Sequence, residues 1–197
     1  MMKTRTLVVA KYREDVGWLK EVPPEMKVCV YDKSGIKQEF PPEIKVEYIK
    51  NVGRDPHTFM YHITRHYHEL DDYTCFAQGY PFDHCPKKQF FEKISTVEQH
   101  YHELGNVSFT VVGNGSKETG NIPISKVYKE IMGVEKTSFS FHWGMQIILS
   151  KELILLRPKS FYENLCTKAE LLYQDPFTLP LLERLWRSIW QQLESEL

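Results

Sequence analysis

No stretch of this sequence is apolar for anything near the length of a membrane span, which argues against an integral membrane protein. The amino-terminal run Thr6–Ala10 is too short for a signal peptide, and charged Lys11–Asp15 follows it at once. Cysteine is sparse. Cys29, Cys75, Cys85 and Cys166 contain no Cys-x-x-Cys pair and mostly sit in apolar segments, so buried thiols in a reducing compartment, the cytoplasm, are expected. A Cys75–Cys85 pair is the alternative. Charge of one sign is missing too: the net charge is −1 and no basic stripe occurs, which argues against a nucleic-acid binder. Internal repeats, low-complexity segments and linkers are absent. What remains is ordinary globular composition, 42% apolar and 26% charged, enough for one domain spanning residues 1–197.

The continuous apolar, β-branched run Thr6–Ala10 predicts a strand buried on both faces, and Lys27–Tyr31 and Tyr73–Ala77 predict two more strands. Ile44–Ile49, Val107–Val112 and Met145–Leu149 predict further strands. Val16–Lys20 opens a short helix. A second helix starts at Pro56 with Asp55 as its N-cap, carrying Phe59, His62, Ile63 and His66 at helical spacing. Lys88–Leu104 reads as an amphipathic helix ended by Gly105, and Ile124–Met132, Pro158–Tyr173 and Leu179–Leu193 as three more. Gly113–Asn121 reads as the most mobile loop. Strands alternating with helices predict an α/β domain whose mixed, mostly parallel sheet is covered on both faces.

In such a sheet, ligands sit outside the carboxyl ends of the strands. That rule selects Lys11–Asp15, Asn51–Asp55 and Gln78–His84, which gather charged, amide and aromatic residues that a core does not need. Asp83 and His84 are a carboxylate beside an imidazole, able to bind a divalent cation or move a proton. Arg54 precedes a helix N-terminus and has the fork geometry for phosphate, or else pairs with Asp55 or Asp72. His62 and His66 share a helix face at metal-ligand spacing, but the Glu of a zinc-hydrolase motif is replaced by Ile63. His100 and His102, two apart on the predicted helix, point away from each other. The aromatic segment Phe139–Gln146, with Phe141, His142 and Trp143, is either core or a wall against a sugar ring. Glu183, set among Leu181, Leu182, Leu185 and Trp186, is a surface residue or a carboxylate with a raised pKa suited to a base.

The series Leu7–Leu19, Asn51–Asp55, Phe76–His84 and Arg157–Tyr162 resembles an uncharacterised domain family of bacteria, fungi and large DNA viruses. More loosely, the chain resembles small glycosyltransferases of the Rossmann-related GT-A type, including viral ones that build capsid glycans. This resemblance implies a nucleotide side over about residues 1–112 and an acceptor side over about 113–197. It implies that Tyr12 and Asp15 hold the base, that Asn51 and Arg54 meet ribose or phosphate, and that Gln78 lines the donor site. The Gln78–His84 loop stands where such enzymes carry a metal-binding Asp-x-Asp, a motif found nowhere in this sequence. Asp83 and His84 would substitute as ligands of manganese or magnesium, with Asp83 and Glu183 as the catalytic carboxylates.

The expected activity is inverting transfer of a sugar from a nucleoside-diphosphate donor, uridine or guanosine in type, to a glycan or other hydroxyl acceptor. Phe141, His142 and Trp143 would line the acceptor side. Two rivals are a metal-dependent hydrolase built on His62, His66, Asp83 and His84, and a non-catalytic sugar- or nucleotide-binding module.

Overall fold

A computed structural model describes residues 3–105, 108–112, 124–142, 144–172 and 181–197. Its centre is strand β1, Arg5–Lys11, every residue of which is buried. Parallel partners flank it: β2, Lys27–Asp32, on one side and β4, Tyr73–Gln78, on the other. Strand β3, Lys45–Tyr48, pairs parallel with β2. Beyond β4 the sheet turns antiparallel through β8, Ile147–Ser150, and ends at β5, Tyr101–Glu103. The order is therefore β3-β2-β1-β4-β8-β5, with a separate antiparallel pair of β6, Ser108–Val112, and β7, Ser138–His142.

Alternation along β1 divides the core. Val8 and Ala10 face helices α1 (Arg54–His66), α3 (Ile124–Met132), α5 (Lys159–Leu172) and α6 (Leu181–Glu194). Leu7 and Val9 face the 3-10 turn Gly17–Glu21 and helix α2 (Lys87–Thr96). A strand covered on both faces needs this unbroken apolar run. A short helix α4, Lys151–Leu155, follows β8 and is capped by the Ser150 hydroxyl, which accepts from Leu153 N at 3.1 Å. Among the described residues no helix is long and apolar enough to cross a membrane. All four cysteines are free, and burial pushes the Cys75 thiol up to about 12.

Three expectations are corrected. The helix expected over Lys88–Leu104 stops at Thr96, because Val97 adopts an extended backbone, and Tyr101–Glu103 becomes edge strand β5 against β8. His102 is thus on a strand, and His100 just before it, rather than on one helix. Asp55 is not an N-cap: the cap of α1 is Gly53, and Asp55 lies in the first turn. Arg54 does not reach Asp72, whose carboxylate is held by Thr4 instead.

Where β1 and β2 end, a buried ion pair replaces the apolar pattern. Lys11 Nζ lies 3.0 Å from Asp32 Oδ2, both side chains being wholly buried. Asp32 Oδ1 also accepts from Ser34 N at 2.7 Å. Removing one partner strands the other charge, so Lys11→Met is expected to cost about 3–5 kcal/mol. The double variant Lys11→Met/Asp32→Leu should recover most of that loss. Urea midpoints measure both, and a single variant as stable as the parent would show that Asp32 finds another partner.

Candidate active site

The carboxyl ends of β1 and β4 form a topological switch point. From β1 the chain proceeds outward to β2 and β3 on one side, then returns to β4 on the other. Crevices at such points are where open α/β sheets bind their ligands. The register pairs Ala10 with Gln78, so the loops after both strands meet. Glu14 Oε2 accepts from Tyr12 N at 2.7 Å and packs on Gly79 so closely that a Cβ there would lie 2.6 Å from it. Trp18 Nε1 donates to Gly79 O at 2.8 Å. The Trp18 ring meets Phe82 and Phe90 edge-on at centroid distances of 5.5 and 5.6 Å, which fixes the Gln78–His84 loop against α2.

The third loop is held from beneath. Gly53 and Arg54 are both left-handed, with φ of 60° and 50°. Lys33 Nζ donates to the carbonyls of Val52 and Arg54, so its ammonium pins the turn that opens α1. Burial lowers the Lys33 pKa to about 8. Asp55, next along, accepts from Gln78 Nε2 at 2.9 Å, which ties this loop to the end of β4. Its own pKa is raised, burial outweighing the Gln78 hydrogen bond.

Glu183 arrives from the first turn of α6. It is half-buried, accepts a hydrogen bond from the Gly144 backbone N–H, and its pKa is raised, by burial first and by the charge of Asp55 second. Arg54 acts on it in the opposite sense. Gly144 has φ of 91°, and a Cβ there would sit 2.5 Å from His84 Cδ2. Gln146 Nε2 donates to Pro81 O at 3.0 Å. The turn between β7 and β8 therefore links Glu183 to the Pro81–Asp83 turn and to His84.

Of the residues singled out in the sequence, Tyr12, Asp15, Arg54, Gln78, Asp83, His84 and Glu183 lie on this one rim. Tyr12 is exposed with the Arg13 guanidinium 4.9 Å above its ring, and Asp15 Oδ1 accepts from Gly17 N at 2.8 Å. Asn51 and Asp83 are exposed. Trp143 lies outside the described residues, as do the side chains of Phe141 and His142 and the loop Gly113–Asn121. Among the described residues no three His, Cys, Asp or Glu side chains are placed to hold a metal ion. Asp83 and His84 are two neighbouring donors on the rim.

His62 and His66 do share a face, their rings 4.7 Å apart, but they line a separate pocket of ≈ 290 Å³ with Thr6 and Thr74, at the starts of β1 and β4. Burial lowers the His62 pKa to about 3, and Tyr31 Oη lies 2.9 Å from its Nδ1. Helix α1 carries the pair away from the rim, so the structure does not join it to Asp83 and His84. Lys33 escaped sequence reasoning, read only as part of a turn; Asp55 was placed in a rim loop but as a cap, and Gly144 and Gln146 lay in the aromatic segment without roles of their own.

A family model described as "protein of unknown function (DUF3431)" matches residues 7–113, more than half of the chain. The chain belongs to this family. The matched stretch carries all three loops of the rim from β1, β3 and β4. Glu183 and the Gly144 turn lie outside it. Neither a curated protein nor a solved structure matches the sequence.

Proposed function

We propose that this rim transfers a sugar from a nucleoside-diphosphate donor to a hydroxyl acceptor with inversion. The observation that carries the reading is Glu183. A carboxylate with a raised pKa, oriented by a backbone N–H and subject to the charge of Arg54, faces the loops at the switch point of an open α/β sheet. Glu183 takes the proton of the acceptor hydroxyl as its oxygen forms the new bond to the anomeric carbon. The bond from that carbon to the diphosphate oxygen breaks on the opposite face. Its electron pair leaves with the nucleoside diphosphate, whose added charge Arg54 and the N-terminus of α1 stabilise. A positioned base contributes roughly 10²–10⁴-fold to such a step. Asp83 and His84 border the same space, and manganese is tested as an added component.

The first test is thermal unfolding with a panel of nucleotide sugars, each with and without manganese. A ligand bound only by the folded state raises the midpoint by mass action, by about 2.7 kcal/mol of stability at a hundred times its Kd. A rise with a nucleotide sugar, followed by product formation with a hydroxyl acceptor, is expected. A rise without turnover across a broad set of acceptors would favour a binding module. No rise at millimolar ligand would overturn the reading.

A further inference from the structure

We infer that the pocket at the carboxyl end of α1, away from the rim, binds a divalent transition-metal ion of the zinc class through the imidazoles of His62 and His66. The inference does not depend on the transferase reading. Residues two apart on a strand share a face, so Thr6, Cys29 and Thr74 lie on the side of the sheet that Val8, Tyr31 and Phe76 turn toward α1. Three strands thus give up the apolar pattern beneath the last turns of the helix. His62 and His66 stand over this polar floor, and all five residues line the same ≈ 290 Å³ pocket.

The nitrogens left over on these rings are what such an ion takes. A histidine kept for packing alone has its buried nitrogens paired, as buried polar groups are. Here each ring has an oxygen near Nδ1 and leaves Nε2 without a partner. His62 is 3% exposed, Tyr31 Oη lies 2.9 Å from its Nδ1, and its Nε2 takes no hydrogen bond from the described residues. Glu69 Oε2 lies 4.0 Å from His66 Nδ1, and His66 Nε2 is buried and unpartnered. An oxygen partner on the other ring nitrogen is the outer-shell arrangement that orients histidine ligands. The two residues are four apart on one helix face, and their ring centres are 4.7 Å apart. Two imidazoles bound to one tetrahedral zinc at about 2.0–2.1 Å have ring centres roughly 5 Å apart.

The surrounding charge admits a cation. Lys27 and Lys45 line the pocket, but so do Glu43, Glu69 and Asp71, and Lys27 is paired with Asp71 at 2.7 Å. The carbonyl end of α1 adds negative potential. Among the described residues no third imidazole, thiol or carboxylate is placed to join the pair, so water completes the shell of the ion. The Thr74 hydroxyl lines the same pocket, 1% exposed and without a hydrogen bond, as a partner for that water. Imidazole donors suit zinc, copper and nickel, whereas magnesium and calcium take oxygen donors.

Isothermal titration of the metal-stripped full chain with zinc chloride, and separately with magnesium chloride, tests this. Zinc is expected to bind in the pocket and magnesium not. Zinc affinity should fall about tenfold or more in His66→Gln, since even outer-shell partners of a ligand matter on that scale. His66 is only partly buried, so the variant should fold, and its melting curve without metal checks that. His68→Gln, an exposed position just beyond α1, is the control for surface binding and should keep the parent affinity. Failure of the parent to take up zinc at submillimolar concentration would overturn the inference. Equal affinity in the parent and His66→Gln would also overturn it, by placing the ion elsewhere, as would an equal loss in His68→Gln.

Discussion

Glu183→Gln is expected to abolish sugar transfer, by roughly 10²–10⁴-fold, while leaving the protein at least as stable as the parent at neutral pH. Both halves follow from the same shift. The folded state raises the Glu183 pKa, so it holds that proton more tightly than the unfolded chain does. The stability this brings is complete below the ordinary carboxylate pKa of 4.5 and disappears as pH rises through the raised value. At neutral pH the ionised carboxylate is therefore a cost that glutamine does not carry. Glutamine's own oxygen still accepts from Gly144 N.

The activity runs the other way, because a base must be ionised. Turnover should fall as pH drops through the raised pKa. Asp55 is the largest neighbouring charge lifting Glu183, so Asp55→Asn should move this acid limb to lower pH. Kinetics with the donor found by the nucleotide-sugar screen, alongside melting curves, read all three effects. Retained turnover in Glu183→Gln would remove it as the base. A melting point well below that of the parent would mean that its carboxylate is structural.

The rim was partly visible in the sequence for a physical reason. Runs such as Leu7–Ala10 and Tyr73–Ala77 are buried on both faces, so their apolar character is continuous and local. Once those strands are placed, the rule that ligands sit beyond their carboxyl ends names the loops that follow. What the sequence does not carry locally is pairing between distant segments. Tyr101–Glu103 has helical periodicity in continuity with α2, and only its ladder with Ile147–Leu149 makes it a strand. Asp55 before Pro56 has the local signature of a cap. Its role as partner of Gln78 arises from contact with β4, 23 residues on, and its effect on Glu183 from a helix at the other end of the chain. Glu183 itself was legible because a carboxylate among leucines and a tryptophan is already an anomaly on a helix. The separation of the His62/His66 pair from Asp83 and His84 was hidden in the sequence for the same reason. His62 and His66 do share a face as their spacing requires, but that face turns toward the wrong end of the sheet.

Gly53→Ala is expected to be the most disruptive single-methyl change in the loops that carry the rim. Two independent penalties meet there. At φ of 60° an L side chain is strained, by roughly 1–2 kcal/mol. The added Cβ would also lie 2.5 Å from His57 Cβ and 3.1 Å from Ala169 Cβ, so α1 and α5 must move apart. Overpacking of that kind costs about 1–3 kcal/mol more. Together they amount to about 2–5 kcal/mol, a fall in melting temperature on the order of 10 °C for a chain of this size. The methyl contacts belong to backbone-proximal atoms of two packed helices, so no flexible side-chain end can absorb them. Binding should suffer beyond the loss of stability, because Arg54 follows directly in the same left-handed turn and its carbonyl is one of the two that Lys33 holds. Melting curves with and without nucleotide separate the two effects. Gly35→Ala is the control, being equally left-handed at φ of 72° but with nothing within 4 Å of its added Cβ. It should show the conformational penalty alone and leave nucleotide binding intact. Equal losses at the two positions would mean that contact between α1 and α5 contributes nothing, and that the Gly53 turn is not what positions Arg54.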